Sequence, residues 1–252
     1  MAVTLHDVQT AHDRIRDFIY RSPAPHSDEL STLTGQSVYL KLDNLQRTGA
    51  FKERGALNKI LTLSEDEKRR GVIAASAGNH AQAVAYHATQ RGIRSRIVMP
   101  LMTPLVKVSS TTNFGAEVVL HGANYDEACA EAIRLGEHDG MTFLHPFDDD
   151  AVIAGQGTIG LELLDQISDL QAVVVPIGGG GLIGGMACAI KESNPHIRVI
   201  GVQTERLPSM LRATEAGEPV TMPAEATIAD GIAVRRAGKL TLPLVQRYVD
   251  EL

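Results

Sequence analysis

The chain has no tryptophan and few aromatic residues of any kind, five tyrosines and five phenylalanines among 252 residues. Its interior must therefore be built mainly from aliphatic side chains. It has two cysteines, Cys129 and Cys188, far apart and in apolar, helix-like surroundings. That usage reads as reduced buried thiols and not as a disulfide or zinc framework. No stretch reaches the roughly 20 apolar residues needed to cross a bilayer. The opening MAVTLHDVQTAHDRIRDFIY is broken by charges every few residues and lacks the apolar core of a secretory leader. Both absences predict a cytoplasmic protein without a membrane partner. There is no basic stripe either: 24 Lys and Arg are scattered against 30 Asp and Glu, for a net charge of −6. Nucleic acid is excluded on that ground, and a small-molecule partner is favoured.

What is present is a globular composition, 44% hydrophobic over 252 residues, enough for one large domain or two modest ones. Leu5, Val8, Ala11, Ile15 and Phe18 fall at helical spacing and predict an opening helix, stopped by Ser22-Pro23-Ala24-Pro25. A strand is predicted at Val38–Leu42. Short apolar runs then recur at Val72–Ala75, Ile97–Met99, Val118–Leu120, Val173–Ile177 and Val199–Val202, each followed by a turn signal and a longer helical segment. This is the βαβ rhythm of parallel sheets. Runs such as VVVPI predict strands covered by helices on both faces, in open doubly wound α/β layers, with a ligand at the carboxyl ends of the strands.

Three motifs carry chemistry. The first is Leu45–Ala56, LQRTGAFKERGA, a glycine-containing turn that enters a helix with Lys52 in its first turn. The positive end of a helix dipole disfavours a cation there, which leaves the amine more available in its neutral form. A neutral amine is what Schiff-base chemistry requires. Most lysines near helix ends are solvated surface charges, and the local argument alone does not displace that reading. The second motif, Ser76-Ala77-Gly78-Asn79-His80, follows the strand-like VIAA and opens a helix, an arrangement suited to a carboxylate. Ordinary capping by Ser76 or Asn79, with His80 at the surface, is the competing reading. The third, Gly178-Gly179-Gly180-Gly181-Leu182-Ile183-Gly184-Gly185, lets several backbone N–H groups close around a phosphate. It also satisfies G-x-G-x-x-G at Gly179, Gly181 and Gly184, so a nicotinamide-dependent oxidoreductase is an alternative. The next strand, however, leads to Gln203 where a ribose-binding acid would sit.

Taken together and in this order, KLDNLQRTGAFKERGA, ASAGNHAQAVA, GQGTIGLEL, PIGGGGLIGG and TIADGIAV resemble the fold-type II pyridoxal-phosphate enzymes. Within them the resemblance is greatest to the threonine/serine dehydratase and serine racemase family, and to threonine dehydratase (threonine ammonia-lyase) in particular. It covers the chain from about Tyr20 to its end. The resemblance implies pyridoxal 5′-phosphate as cofactor, with Lys52 as the lysine that carries it and removes the Cα proton. It implies Phe51 as a neighbour of the ring, Asn79 as a partner of its 3′ oxygen, and Gly178, Gly179, Gly180, Gly181 and Leu182 as the phosphate cradle. Ser76, Ala77, Gly78, Asn79 and His80 would surround the substrate carboxylate. The implied reaction is β-elimination of the hydroxyl of L-threonine, or L-serine, giving 2-oxobutanoate or pyruvate and ammonia. Its setting would be isoleucine biosynthesis or threonine catabolism, and its assembly a homo-oligomer.

The resemblance also implies a discontinuous organisation. Residues 1–45 with 148–252 form a large cofactor-binding domain, and 46–147 a smaller mobile one, with the cofactor in the cleft between two doubly wound parallel sheets. Family members continue past Leu252, so their Glu-Gly-Ala-Gly-like segment and the Ser-Gly-Gly-Asn-like loop that contacts the pyridine nitrogen have no counterpart in these residues. A shortened, catalytically silent cofactor-binding remnant is thus a further alternative. Serine racemases have a second serine after the first in the carboxylate loop, where this chain has Ala77, which favours elimination. Their acidic cation ligand corresponds to Gln203 here, so no metal residue is assigned and Glu205 is the residual candidate. Asp148-Asp149-Asp150, ahead of an apolar helix, read as capping residues and not as metal ligands.

Overall fold

The computed structural model describes residues 2–252. The chain opens with α1 (Leu5–Ile15), α2 (Asp28–Thr34), α3 (Lys52–Leu61) and α4 (Glu65–Arg70). Strands β1 (Val72–Ala75), β2 (Ser95–Met99), β3 (Glu117–Leu120) and β4 (Thr142–Phe143) follow, separated by α5 (Asn79–Thr89), α6 (Leu105–Asn113) and α7 (Tyr125–Asp139). Next come α8 (Asp150–Gln166), β5 (Ala172–Pro176), α9 (Gly181–Ser193), β6 (Arg198–Val202), α10 (Ser209–Ala216) and α11 (Thr241–Tyr248).

The four early strands pair in parallel in the order β3-β2-β1-β4. Strand periodicity then sorts their side chains. Val72, Ala74, Ile97 and Met99 pack with the alanine-rich face of α5 and with Ala56 and Ile60 of α3. Ile73, Ala75 and Val98 face Ala128 and Ala132 of α7 on the other side. Helices on both faces of a parallel sheet are the doubly wound arrangement. The second sheet joins β5 to β6, in parallel, over a core that includes Val8 and Ala11 of α1.

The close approach of α3, α8 and α9 depends on glycines. A Cβ at Gly185 would lie 2.2 Å from the Ile153 carbonyl oxygen, and one at Gly155 would lie 2.6 Å from that of Arg54. The helix whose first residue is Lys52 and the helix that follows the four-glycine loop are thereby held against one buried helix, α8. The GQGTIG motif works through packing, and its role is to fix the relative positions of two helix starts.

Three details depart from the sequence reading. Val38–Leu42 is extended but makes a single bridge, Tyr39 to His26. Its partners include Pro23 and Pro25, which have no N–H to donate, so the pairing consists of isolated bonds such as Leu40 N–H to the Pro25 carbonyl. The opening helix ends at Ile15, and Phe18 lies exposed with the Arg91 guanidinium 5.0 Å from its ring. Finally, β5 is covered on one face: Val173 and Val175 are buried while Val174 is 66% exposed. Apolar on both faces did not mean buried on both. Among the described residues no helix is long and apolar enough to cross a membrane, and both cysteines are free.

Candidate active site

Lys52 is the first residue of α3, reached through a turn in which Gly49 adopts φ +74°. Phe51 precedes it without a side-chain cap, and the first turn carries one acid, Glu53. The side chain is part-buried and its amine lies deep, donating to the Pro146 carbonyl at 2.6 Å and standing 5.2 Å from the Phe51 ring centre. Burial pushes the amine down to about 8. The surrounding carboxylates are engaged elsewhere. Glu53 accepts the Thr48 N–H at 2.5 Å and faces His87 Nε2 at 3.2 Å. Asp149 caps α8 through the Val152 N–H and pairs with Lys59 at 2.6 Å. Asp148 accepts the N–H groups of Lys239 and Leu240 at 2.9 and 2.8 Å. Asp149 thus caps as the sequence suggests, while Asp148 ties the start of α11 to the segment beside Lys52. Among the described residues no acidic or thiol cluster with metal-binding geometry occurs.

At the second motif, α5 begins at Asn79 and its N-cap is Gly78, with φ −146° and ψ −140° and no side-chain cap. Neither Ser76 nor Asn79 caps the helix, and the competing capping reading does not hold. The Ser76 hydroxyl accepts the Gly78 N–H at 3.2 Å. The first N–H groups of α5 have no intrahelical acceptor and the dipole favours an anion there. His80 is not at the surface: it is 3% exposed, its Nε2 bonds the Leu144 carbonyl at 3.0 Å, and burial pushes it down to about 3. What His80 offers an anion is its backbone N–H, because its ring points into the protein.

The third motif turns on Gly180, with φ +98°, into the start of α9. Gly179 and Gly181 allow the Phe147 ring and backbone to approach, with a Cβ placed 2.4 and 2.9 Å from Phe147 atoms. Gly178 lies against Val234 and Ile232 of the TIADGIAV segment. The Thr241 hydroxyl holds the Gly179 carbonyl at 2.6 Å. A Cβ at Gly179 needs no unusual backbone but collides with a ring, so its effect lies in packing. Gly179→Ala should weaken binding of pyridoxine 5′-phosphate about tenfold and cost roughly 1–3 kcal/mol of stability. Titration calorimetry checks this, and unchanged affinity would remove the loop from the phosphate site.

The segment from Leu144 to Asp148 joins all three motifs. Leu144 meets His80, Pro146 meets Lys52, Phe147 fills the glycine loop, and Asp148 ties down α11. Sequence reading passed over Leu144–Phe147 because they follow a strand of two residues, too short to show a period. Thr241, flanked by leucines at the start of α11, gives no signal of its own in the sequence either. A cleft of about 960 Å³ opens beside the site, with Phe51 and Leu182 in its wall, and runs across the exposed face of β5.

The G-x-G-x-x-G alternative gains no support downstream. The Gln203 carboxamide oxygen is occupied by the N–H groups of Met210 and Leu211, at 2.9 and 3.1 Å, and so caps α10 in place of holding a ribose or a cation.

A deep amine at one helix start, uncapped N–H groups at a second and a glycine turn at a third have the chemistry to take an aldehyde that bears a phosphate, together with a substrate carboxylate. Two parallel sheets linked by such a site define a fold-type II cofactor enzyme. The chain belongs to the pyridoxal-phosphate dependent enzyme family, whose pattern matches residues 15–252. It is 51% identical over 250 residues to the L-threonine ammonia-lyase of Thermotoga maritima, covering 99% of this chain and 62% of that protein. The chain spans about three-fifths of the length of the first curated relatives it matches. The processed threonine deaminase isoform 2 of Solanum lycopersicum superposes with a TM-score of 0.94 at 40% identity, over 98% of this chain and 72% of that one. Maize serine racemase gives 0.96 at 35% identity, over 100% and 76%.

Proposed function

We propose that the chain carries the cofactor-bearing part of a threonine dehydratase, acting on L-threonine and secondarily on L-serine. The observation that carries this reading is the deep Lys52 amine, bonded to a carbonyl and to no carboxylate. When bound, pyridoxal phosphate draws electrons from the bond to the substrate's α-hydrogen and makes that proton acidic. Lys52, neutral in a large fraction of molecules near pH 8, is the group that takes the proton. The N–H groups at the start of α5, from Gly78 to His80, orient the substrate carboxylate, with Ser76 and Ala77 completing the loop. The Asn79 carboxamide would hold the ring's 3′ oxygen and Phe51 would border the ring. Gly178 to Leu182 take the phosphate. Loss of the β-hydroxyl and hydrolysis then give 2-oxobutanoate and ammonia, or pyruvate from serine.

Ala77 brings no hydroxyl to the position after Ser76, which favours elimination over racemisation. The separate hydrophobic clusters of the two sheets support a division into residues 46–147 and the remainder, 1–45 with 148–252. A homo-oligomer in the cytoplasm, serving isoleucine biosynthesis or threonine catabolism, belongs to the same reading.

The test is the visible absorbance of the chain on adding pyridoxal phosphate, then borohydride fixation and peptide mapping, with ammonia release from L-threonine measured alongside. A label confined to Lys52 with ammonia released supports the full reading. A label on Lys52 without ammonia reduces it to cofactor binding, labels scattered over surface lysines overturn it, and appreciable D-serine from L-serine favours racemisation.

A further inference from the structure

We propose that His80 is a positioning residue for Lys52: its Nε2–H holds the Leu144 carbonyl and so sets the Pro146 carbonyl, two residues on, as the acceptor on which the Lys52 amine rests when not bonded to the cofactor. The inference deepens the proposed function and rests on Lys52 being the cofactor-bearing lysine.

Whenever it is free, the amine of such a lysine needs an acceptor that fixes its direction without fixing its charge. A carboxylate would lock it as an ammonium. A carbonyl accepts a hydrogen bond but cannot take the proton, so it serves both protonation states. Lys52 has this partner, at 2.6 Å, while Glu53, Asp148 and Asp149 are bound to other groups. The Pro146 carbonyl must therefore be held firmly, and its segment is anchored on both sides. Upstream, Leu144 donates its N–H to the Ile73 carbonyl at 2.8 Å and receives His80 Nε2 at 3.0 Å. Downstream, the N–H groups of Phe147 and Asp148 both donate to His145 Nδ1, at 3.2 and 2.7 Å.

The His80 ring is 3% exposed, and its Nδ1 is buried without a partner. A side chain kept only for packing would not carry that unmet acceptor, which is costly in an interior. The bond on the opposite nitrogen accounts for the imidazole, and His80 sits one residue past the start of the helix offered to the carboxylate. The same side chain thus registers the carboxylate site against the lysine.

The experiment separates capture from docking. A glutamine places an N–H donor about where the imidazole Nε2 lies, and an asparagine places one nearer Nδ1. Lys52 capture is followed as the rate of the visible band with pyridoxal phosphate, and docking as the affinity for pyridoxine 5′-phosphate, which has no aldehyde. His80→Asn should slow capture about tenfold, the scale of one lost hydrogen bond, with docking within about twofold of wild type. His80→Gln should restore most of the rate. Equal capture in all three proteins would overturn the proposal, and so would capture, docking and melting temperature falling together, since that marks a merely structural role. Absence of Lys52 capture in the wild-type chain would instead sink the proposed function itself.

Discussion

Lys52→Met should make the cofactor-free chain more stable by about 2 kcal/mol at pH 7 while abolishing covalent capture of pyridoxal phosphate. The Lys52 amine is pushed from 10.5 down to about 8 by burial. Between those values the unfolded chain binds a proton that the folded chain gives up, so stability rises with pH across that window. Below about 8 the folded protein carries the whole penalty, and methionine, similar in length and without charge, removes it. The water-accessible part of the Lys52 side chain moderates the gain. For a chain of this size the melting temperature should climb by roughly 4–8 °C at pH 7. The two proteins should converge as the pH approaches the unfolded value near 10.5. Adding pyridoxal phosphate should reverse the order, because only the lysine form gains the covalent bond. Calorimetric scans at several pH values, with and without cofactor, check each statement. A methionine variant no more stable than wild type at pH 7 would mean that the amine is already solvated.

That destabilised lysine illustrates what could be read from the sequence and what could not. Its place at a helix start, and the two glycine-bearing turns, were legible because turn chemistry and helix ends are local. The four early strands were visible in part for the same reason: Val72–Ala75 reads at its observed bounds. β4 was not, since two residues have no period. The burial of His80 is a tertiary fact. Its motif predicts a helix start, but nothing within five residues says that the ring will meet the Leu144 carbonyl 64 positions away. The exposed face of β5 was missed because valine satisfies a strand whether or not something covers it. Gln203 was read as the lack of an acid, and its actual work of capping α10 depends on where that helix lands.

The largest effect on folding should come from Arg54, two residues after the lysine, which is 1% exposed. Its guanidinium binds Asp43 through Nε and Nη2 at 2.7 and 2.8 Å, and Glu162 through Nη1 and Nη2 at 2.5 and 3.0 Å. Lys41 completes the group, donating to Glu162 at 2.5 Å and to the Ser22 carbonyl at 2.6 Å. Two cations thus balance two carboxylates in the interior, and the cluster joins α3, α8 and the segment before the lysine turn. Arg54→Met keeps the volume but strips one cation, leaving Asp43 with only neutral donors from Ser22 and Gln46. Breaking a buried pair from one side costs about 3–5 kcal/mol, far more than an exposed pair. Denaturant unfolding should show that loss, and Arg54→Met with Asp43→Asn should recover a large part of it, because the second change removes the stranded charge. If the single variant lost less than about 1 kcal/mol, the range of an exposed pair, the cluster would be acting as a solvated one. If the double variant recovered nothing, the guanidinium would be holding α3 to α8 through geometry more than charge.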